Sequence, residues 1–198
     1  MARPALVTAA ELDPVAETMA RALHGSPVWT WAFPDPEVRL RAQRGIWRYC
    51  FAAALDYGWA WQLEDCASAS LWIPPGKPEM SPEDAARFDP YLDELLGPDA
   101  ARIKDMFARF AAAHPVQRGP HYYLNLLATH PDHAGRGLGQ ALLADNLARI
   151  DAEGAAAFLE TTTPANVALY ERFGFVLEGR FEISDGGLEV AQMWRDPR

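Results

Sequence analysis

The sequence predicts a mixed α/β fold, and three observations carry that prediction. In the C-terminal half, segments alternate as strand, helix, strand, helix, strand, strand. In the N-terminal part, apolar residues recur at helical spacing before two short strand-like runs. Between about 74 and 120, a Pro-rich and helix-forming segment separates strands, which predicts a helical insertion.

Taken in order, Pro4 to Thr8 reads as a short strand. Asp13 to Leu23 reads as a helix, with Val15, Met19 and Leu23 four residues apart. The stretch HGSPVWTWAFPDPE carries too much Pro and Trp for one regular element. Arg39 to Leu55 returns to helical character, with Ile46, Tyr49 and Cys50 on one side. Trp59 to Leu63 and Ala67 to Ile73 form two strands hinged at Glu64-Asp65. Within the insertion, Ser81 caps a helix whose first position is Pro82 and whose first turn holds Glu83 and Asp84. A second helix covers Asp99 to Ala113, with Ile103, Met106, Phe107 and Phe110 as its apolar face. Then follow a strand from His121 to Ala128, a helix from Gly139 to Glu153 ending at Gly154, and a strand from Ala156 to Thr162. A short helix from Pro164 to Phe173 stops at Gly174. Val176–Ile183 and Leu188–Trp194 pair as a hairpin across Asp185-Gly186-Gly187.

With 198 residues and 49% apolar composition, the chain suits one domain spanning residues 1–198. A net charge of −9 argues against a nucleic-acid partner, which needs clustered Lys and Arg, and is compatible with a cationic substrate. The two cysteines, Cys50 and Cys66, lack metal-ligand spacing and read as free thiols in a reducing compartment. The first residues lack the apolar run of a secretory signal, and no window approaches the ~18 apolar residues that span a bilayer. A soluble, cytoplasmic protein without a membrane partner is expected, as monomer or homodimer.

The chemistry concentrates in ATHPDHAGRGLGQALLADNLARI. Gly135, Gly137 and Gly139 lie between a strand and a helix. Backbone N–H groups at a helix start have no partner inside the helix, and glycines let an anion approach them closely. That describes a phosphate cradle, to which Arg136 adds a charge. Gln140 stands where a dinucleotide fingerprint needs Gly or Ala, and the Gly-Lys-Ser/Thr of a P-loop is absent. On spacing alone, a structural glycine turn remains the alternative.

HPDHAGRGLGQALL resembles the acyl-CoA pyrophosphate loop of the GNAT N-acetyltransferase superfamily, Gln/Arg-x-x-Gly-x-Gly/Ala. Gly137 and Gly139 match its glycines, and Ala134 stands where Gln or Arg is expected. TTTPANVALYERFGF resembles the family's later motif at Asn166, Tyr170, Gly174 and Phe175. AFLETTTPANVALYERFGF and the terminal hairpin look most like the puromycin N-acetyltransferase-type members. The resemblance implies a mostly antiparallel central sheet flanked by helices and transfer of an acetyl group from acetyl-CoA directly to a primary amine of a small molecule. It implies a cofactor site at Leu126, Leu127 and Ala128, at Ala134, Gly135, Arg136, Gly137, Leu138, Gly139 and Gln140, and at Asn166 and Tyr170. Tyr170 is the implied general acid for the departing thiolate, since a phenol stays protonated at neutral pH. Asn166, one helical turn earlier, either bonds the cofactor or satisfies local backbone.

For the general base, His121 and Glu160 are the candidates, each also readable as an ordinary strand-end polar group. His130, Asp132 and His133 invite a metal reading, but no third ligand has suitable spacing, so no metal is expected. Trp29, Trp31, Phe33, Trp47 and Trp72 either line an acceptor pocket or pack a core. Two other functions share the motifs: a non-catalytic acyl-CoA sensor or scaffold, and a protein N-acetyltransferase.

Overall fold

Three helices begin on the same chemistry, a capping side chain followed at once by proline. Ser26 accepts from the Trp29 N–H at 3.4 Å and opens the six-residue helix Pro27–Ala32, the second in chain order. The helices are α1 (Leu12–Leu23), α2 (Pro27–Ala32), α3 (Pro36–Ala54), α4 (Pro82–Leu96), α5 (Ala100–Ala113), α6 (Leu138–Ala152) and α7 (Pro164–Arg172). Asp35 accepts from the N–H groups of Glu37 and Val38 to open α3, and Ser81 accepts from the Asp84 N–H at 3.1 Å to open α4. In each case proline occupies a position whose N–H would have had no helical partner. The computed structural model describes residues 3–184 and 187–198.

Among the described residues, seven strands form one sheet. They are β1 (Ala5–Leu6), β2 (Ala60–Leu63), β3 (Ser68–Ile73), β4 (His121–Thr129), β5 (Ala156–Thr161), β6 (Val176–Glu182) and β7 (Glu189–Arg195). Their order is β1-β2-β3-β4-β5-β7-β6, and only β4 and β5 run parallel. The expected α/β fold, a mostly antiparallel sheet flanked by helices with a helical insertion, is present. The insertion holds α4 and α5 between β3 and β4.

Alternation along the strands sends side chains to two cores. One face buries Tyr123, Leu126, Ala128 and Phe158 against Val15 and Met19 of α1, Ile46 and Phe51 of α3, and Ile103 and Met106 of α5. The other buries Tyr122, Leu124 and Leu159 against Leu142, Leu143 and Leu147 of α6, with Tyr170 of α7 and Phe175. Between β3 and β4 the register shifts: Leu71 faces Leu126, whereas Trp72 faces Leu124. Asn125 is therefore the extra residue of a β-bulge.

Several expectations change. The Pro- and Trp-rich stretch contains α2, and α3 starts at Pro36 rather than Arg39, because Ser26-Pro27 and Asp35-Pro36 are helix starts. Trp29, Phe33, Trp47 and Trp72 are buried core side chains, so the pocket-lining option fails for them; Trp31 is partly buried beneath the Arg102 guanidinium. Asp185 and Gly186 of the expected hairpin turn lie outside the described residues. No helix among the described residues is long and apolar enough to cross a membrane.

Candidate active site at a strand divergence

The site starts where two strands part. β4 and β5 pair from His121 opposite Ala156 to Leu124 opposite Leu159. Beyond that point, Leu126, Leu127 and Ala128 pair only with β3, while Glu160 and Thr161 pair only with β7. The facing edges of β4 and β5 thus carry main-chain donors and acceptors with no partner strand, open to an extended polar ligand. Asn125 and Glu160 are the first residues beyond the last pair.

The chain then enters the glycine loop. Gly135 and Gly137 both have φ of 76°, a conformation that L side chains adopt only at a cost. A β-carbon at either would meet nothing within 4 Å, so the backbone conformation, not crowding, requires glycine there. Gly137 caps α6 without a side chain, and the first helical bond runs from the Ala141 N–H to the Gly137 carbonyl at 2.9 Å. The N–H groups of Leu138, Gly139 and Gln140 precede it and have no partner inside the helix. Gly139 serves differently: its β-carbon would sit 3.0 Å from Thr129 Oγ1, so its smallness lets α6 approach the sheet. Leu138 is buried with Leu63 and Ala67, whereas Ala134, Arg136 and Gln140 are exposed. Arg136 bonds Glu64 at 2.7 Å and His133 Nδ1 at 2.8 Å, so its charge is already shared. An open glycine turn, bare N–H groups and the positive end of a 15-residue helix fit a diphosphate.

His130 Nδ1 accepts from the Asp132 N–H at 3.2 Å, and with His133 it shapes this loop. Among the described residues, no group of three or more His, Cys, Asp or Glu is placed to hold a metal ion.

Tyr170 and Asn166 share α7 but differ in setting. Tyr170 is buried against Phe175, and burial raises its phenol to about 12. Asn166 is half-buried, and its N–H bonds the Thr163 carbonyl at 2.9 Å. Thr163 occupies the N-cap position without a capping hydroxyl bond, leaving Pro164 to start the helix.

On the sheet face opposite α6 and α7 lies a cleft of about 500 Å³. The ends of the insertion build most of its wall, including Pro74, Glu79, His114 and Pro120, while His121 and Tyr123 form its β4 side. His121 Nδ1 faces the Gly119 carbonyl at 2.7 Å and therefore carries the proton it donates. Its Nε2 then accepts from His114 Nε2 at 3.1 Å. Both nitrogens of His121 are engaged. Burial lowers the pKa of each ring, with His114 falling to about 4, so the pair is neutral at pH 7.

Glu160 is placed otherwise. Its Oε2 accepts from the Tyr123 hydroxyl at 2.9 Å, and its Oε1 lies 3.5 Å from Gln192 Nε2. Burial pushes its carboxyl up to about 7; the two hydrogen bonds pull the other way, and Glu79 adds to the rise. Glu79 sits on the exposed rim, yet its carboxyl is crowded by the cleft, and that desolvation raises its pKa despite a 2.9 Å bond from Asn125 Nδ2. Glu79, Asn125, His114 and Gln192 carry no signal in the sequence that marks them for this site. Tyr123 lies two residues after His121 on β4 and so shares its face, while nothing local in the sequence marked the loop residue or the bulge.

A parallel strand pair that diverges above a glycine turn and a long helix defines an acetyltransferase-type α/β fold. The chain belongs to the Acetyltransferase (GNAT) family, whose sequence profile matches residues 29–175. Over 75 residues it is 37% identical to mycothiol acetyltransferase from Acidimicrobium ferrooxidans, covering 36% of this chain. The chain spans 22% of that relative's length. Among solved structures it resembles a Corynebacterium glutamicum protein described as histone acetyltransferase HPA2 and related acetyltransferase, with a TM-score of 0.70, 24% identity and coverage of 100% and 98% of the two chains. It also resembles Drosophila melanogaster polyamine N-acetyltransferase, which forms N-acetylagmatine, with a TM-score of 0.68, 16% identity and coverage of 99% and 100%. At these identities the two structures establish the fold alone.

Proposed function

We propose that the protein is an acetyl-CoA-dependent N-acetyltransferase that acetylates a primary amine of a small molecule by direct transfer. The observation that carries this reading is the divergence of β4 and β5 beside the open glycine turn that starts α6, with the Glu160 carboxylate at the point of divergence. The N–H groups of the loop and of Leu138, Gly139 and Gln140 would hold the diphosphate of acetyl-CoA, and the free edge at Leu126, Leu127 and Ala128 its extended arm. Bound there, acetyl-CoA supplies an activated thioester.

The chain's residues then divide the work. A substrate ammonium must lose a proton before nitrogen can attack, and Glu160 is the base that receives it. We prefer it to His121, whose lone pair is already used. A free main-chain N–H of β4 stabilises the oxygen that gains charge on attack. Tyr170 donates its proton to the departing sulfur, and the excess proton left on nitrogen restores the phenol. Asn166 faces the same ligand from one turn earlier.

A small acceptor fits a cleft walled by both ends of the insertion better than a protein chain does. The Drosophila neighbour makes agmatine and polyamines reasonable first acceptors. The block around Asn166 and Tyr170 supports the puromycin N-acetyltransferase-type subgroup as a second line of trial. The experiment is thiol release from acetyl-CoA across agmatine, spermidine, 2-phenylethylamine and puromycin. Amine-dependent release is expected; uptake of acetyl-CoA without release from any of them supports a sensor or scaffold instead.

A further inference from the structure

Glu160 is absent from the cleft wall, whereas Tyr123 forms part of it. Tyr123 thus touches both the cleft and the carboxylate, for its hydroxyl donates to Glu160 Oε2 at 2.9 Å. We propose that Tyr123 is a catalytic residue that relays the acceptor's proton to Glu160. This rests on the reading of Glu160 as the base.

The step balances without any further reagent. One N–H bond of the ammonium breaks, and its proton bonds the Tyr123 oxygen. In the same event the original Tyr123 O–H breaks, and that proton bonds Glu160 Oε2. The electron pair of the broken N–H bond stays on nitrogen as the attacking lone pair. Tyr123 ends as a neutral phenol, and Glu160 as a neutral acid.

The surroundings favour moving both protons together. Tyr123 is buried, and burial with the nearby charges of Glu160 and Glu79 holds its phenol well above its ordinary range, so no free tyrosinate forms on the way. Asn125 opposes that rise and steadies charge on the phenol oxygen during transfer. From the other elements, the His114 ring lies edge-on at 5.0 Å from the Tyr123 ring and is neutral with His121. Lys77, also on the cleft wall, has its ammonium 5.8 Å from the Tyr57 ring. Gln192 fixes the far side of the relay: its Nε2 donates to the Ala113 carbonyl at 2.7 Å and approaches Glu160.

The test compares wild type, Tyr123→Phe and Glu160→Gln under single-turnover conditions with bound acetyl-CoA. The acceptor is the fastest of agmatine, spermidine, 2-phenylethylamine and puromycin, and rates are read against pH and in mixtures of light and heavy water. Two protons in flight predict a curved dependence on deuterium fraction for wild type. Tyr123→Phe is expected to slow transfer by about 100-fold, within the range of a positioned acid–base group. Its deuterium plot should be linear, with acetyl-CoA affinity unchanged. A merely structural tyrosine would change stability without straightening that plot. Glu160→Gln is expected to lose the acid limb near pH 7. If Tyr123→Phe keeps its rate within about twofold and its curvature while Glu160→Gln loses the limb, the relay is overturned and the base stands. If Glu160→Gln keeps the limb, or no acceptor reacts with wild type, both are overturned.

Discussion

At the scale of single residues, two groups are held in unequal readiness by the same force. Burial raises Glu160 to about 7 and Tyr170 to about 12, so one exchanges its proton near neutrality and the other keeps it. As the proposed base, Glu160 must be ionised to act, so kcat/KM should rise with pH through about 7 and level above it. The stability effect runs oppositely. With its folded pKa above the ordinary 4.5, Glu160 favours the folded state most below that value, and the contribution is lost as pH rises through about 7. Tyr170→Phe is expected to lower kcat by ~10²–10⁴ with little change in acetyl-CoA affinity. Steady-state kinetics with calorimetric binding checks both halves. The sequence pointed to Tyr170 and Glu160 because each lies in or beside a recognisable segment. It could not point to Glu79 or Asn125, whose roles arise from a loop folding back onto a bulge 46 residues away.

At the scale of elements, glycine and proline carry most of what was legible. Ser81-Pro82 was readable as a helix start, and Ser26-Pro27 and Asp35-Pro36 carry the same signal. Aromatic crowding around them hid it, because Trp29 and Phe33 belong to the core rather than to a loop. The two glycines of the α6 start should separate by substitution. Gly137→Ala forces a side chain into left-handed backbone, at a cost of about 1–2 kcal/mol. It also closes the approach to the N–H groups. Gly139→Ala keeps ordinary helical backbone but presses on Thr129. Thermal unfolding with and without coenzyme A distinguishes them: ligand stabilisation should shrink in Gly137→Ala, whereas Gly139→Ala should mainly lower the starting Tm. The divergence of β4 and β5 was not readable from their residues, since where a parallel pair ends is decided by what β3 and β7 offer each strand instead.

At the scale of the whole molecule, one buried cation ties β7 to the ends of α6 and α7. Arg195 of β7 bonds both oxygens of Asp151 at the end of α6, at 2.6 and 2.7 Å, and the Phe173 carbonyl just after α7 at 2.9 Å. Its side chain is 4% exposed, and Arg195 also holds the Asp151 carboxyl below its usual range. Arg195→Met leaves that carboxylate and carbonyl without their partner and is expected to cost about 3 kcal/mol, read from denaturant unfolding. The Asp151 contribution is present above its ordinary pKa of 3.8 and fades as pH falls below it. Across the sheet, Arg44 of α3 pairs with Glu17 of α1, tying together the two helices on the face opposite α6. Both layers meet at the diverging strands, and the proposed function requires that gap to accept the thioester arm while the glycine turn grips the diphosphate. Isothermal titration of coenzyme A into the folded wild-type chain and into Gly137→Val tests this most directly. One molecule bound per wild-type chain and at least about tenfold weaker binding to the folded variant are expected. Folded wild-type protein that takes up no coenzyme A would contradict the proposed function.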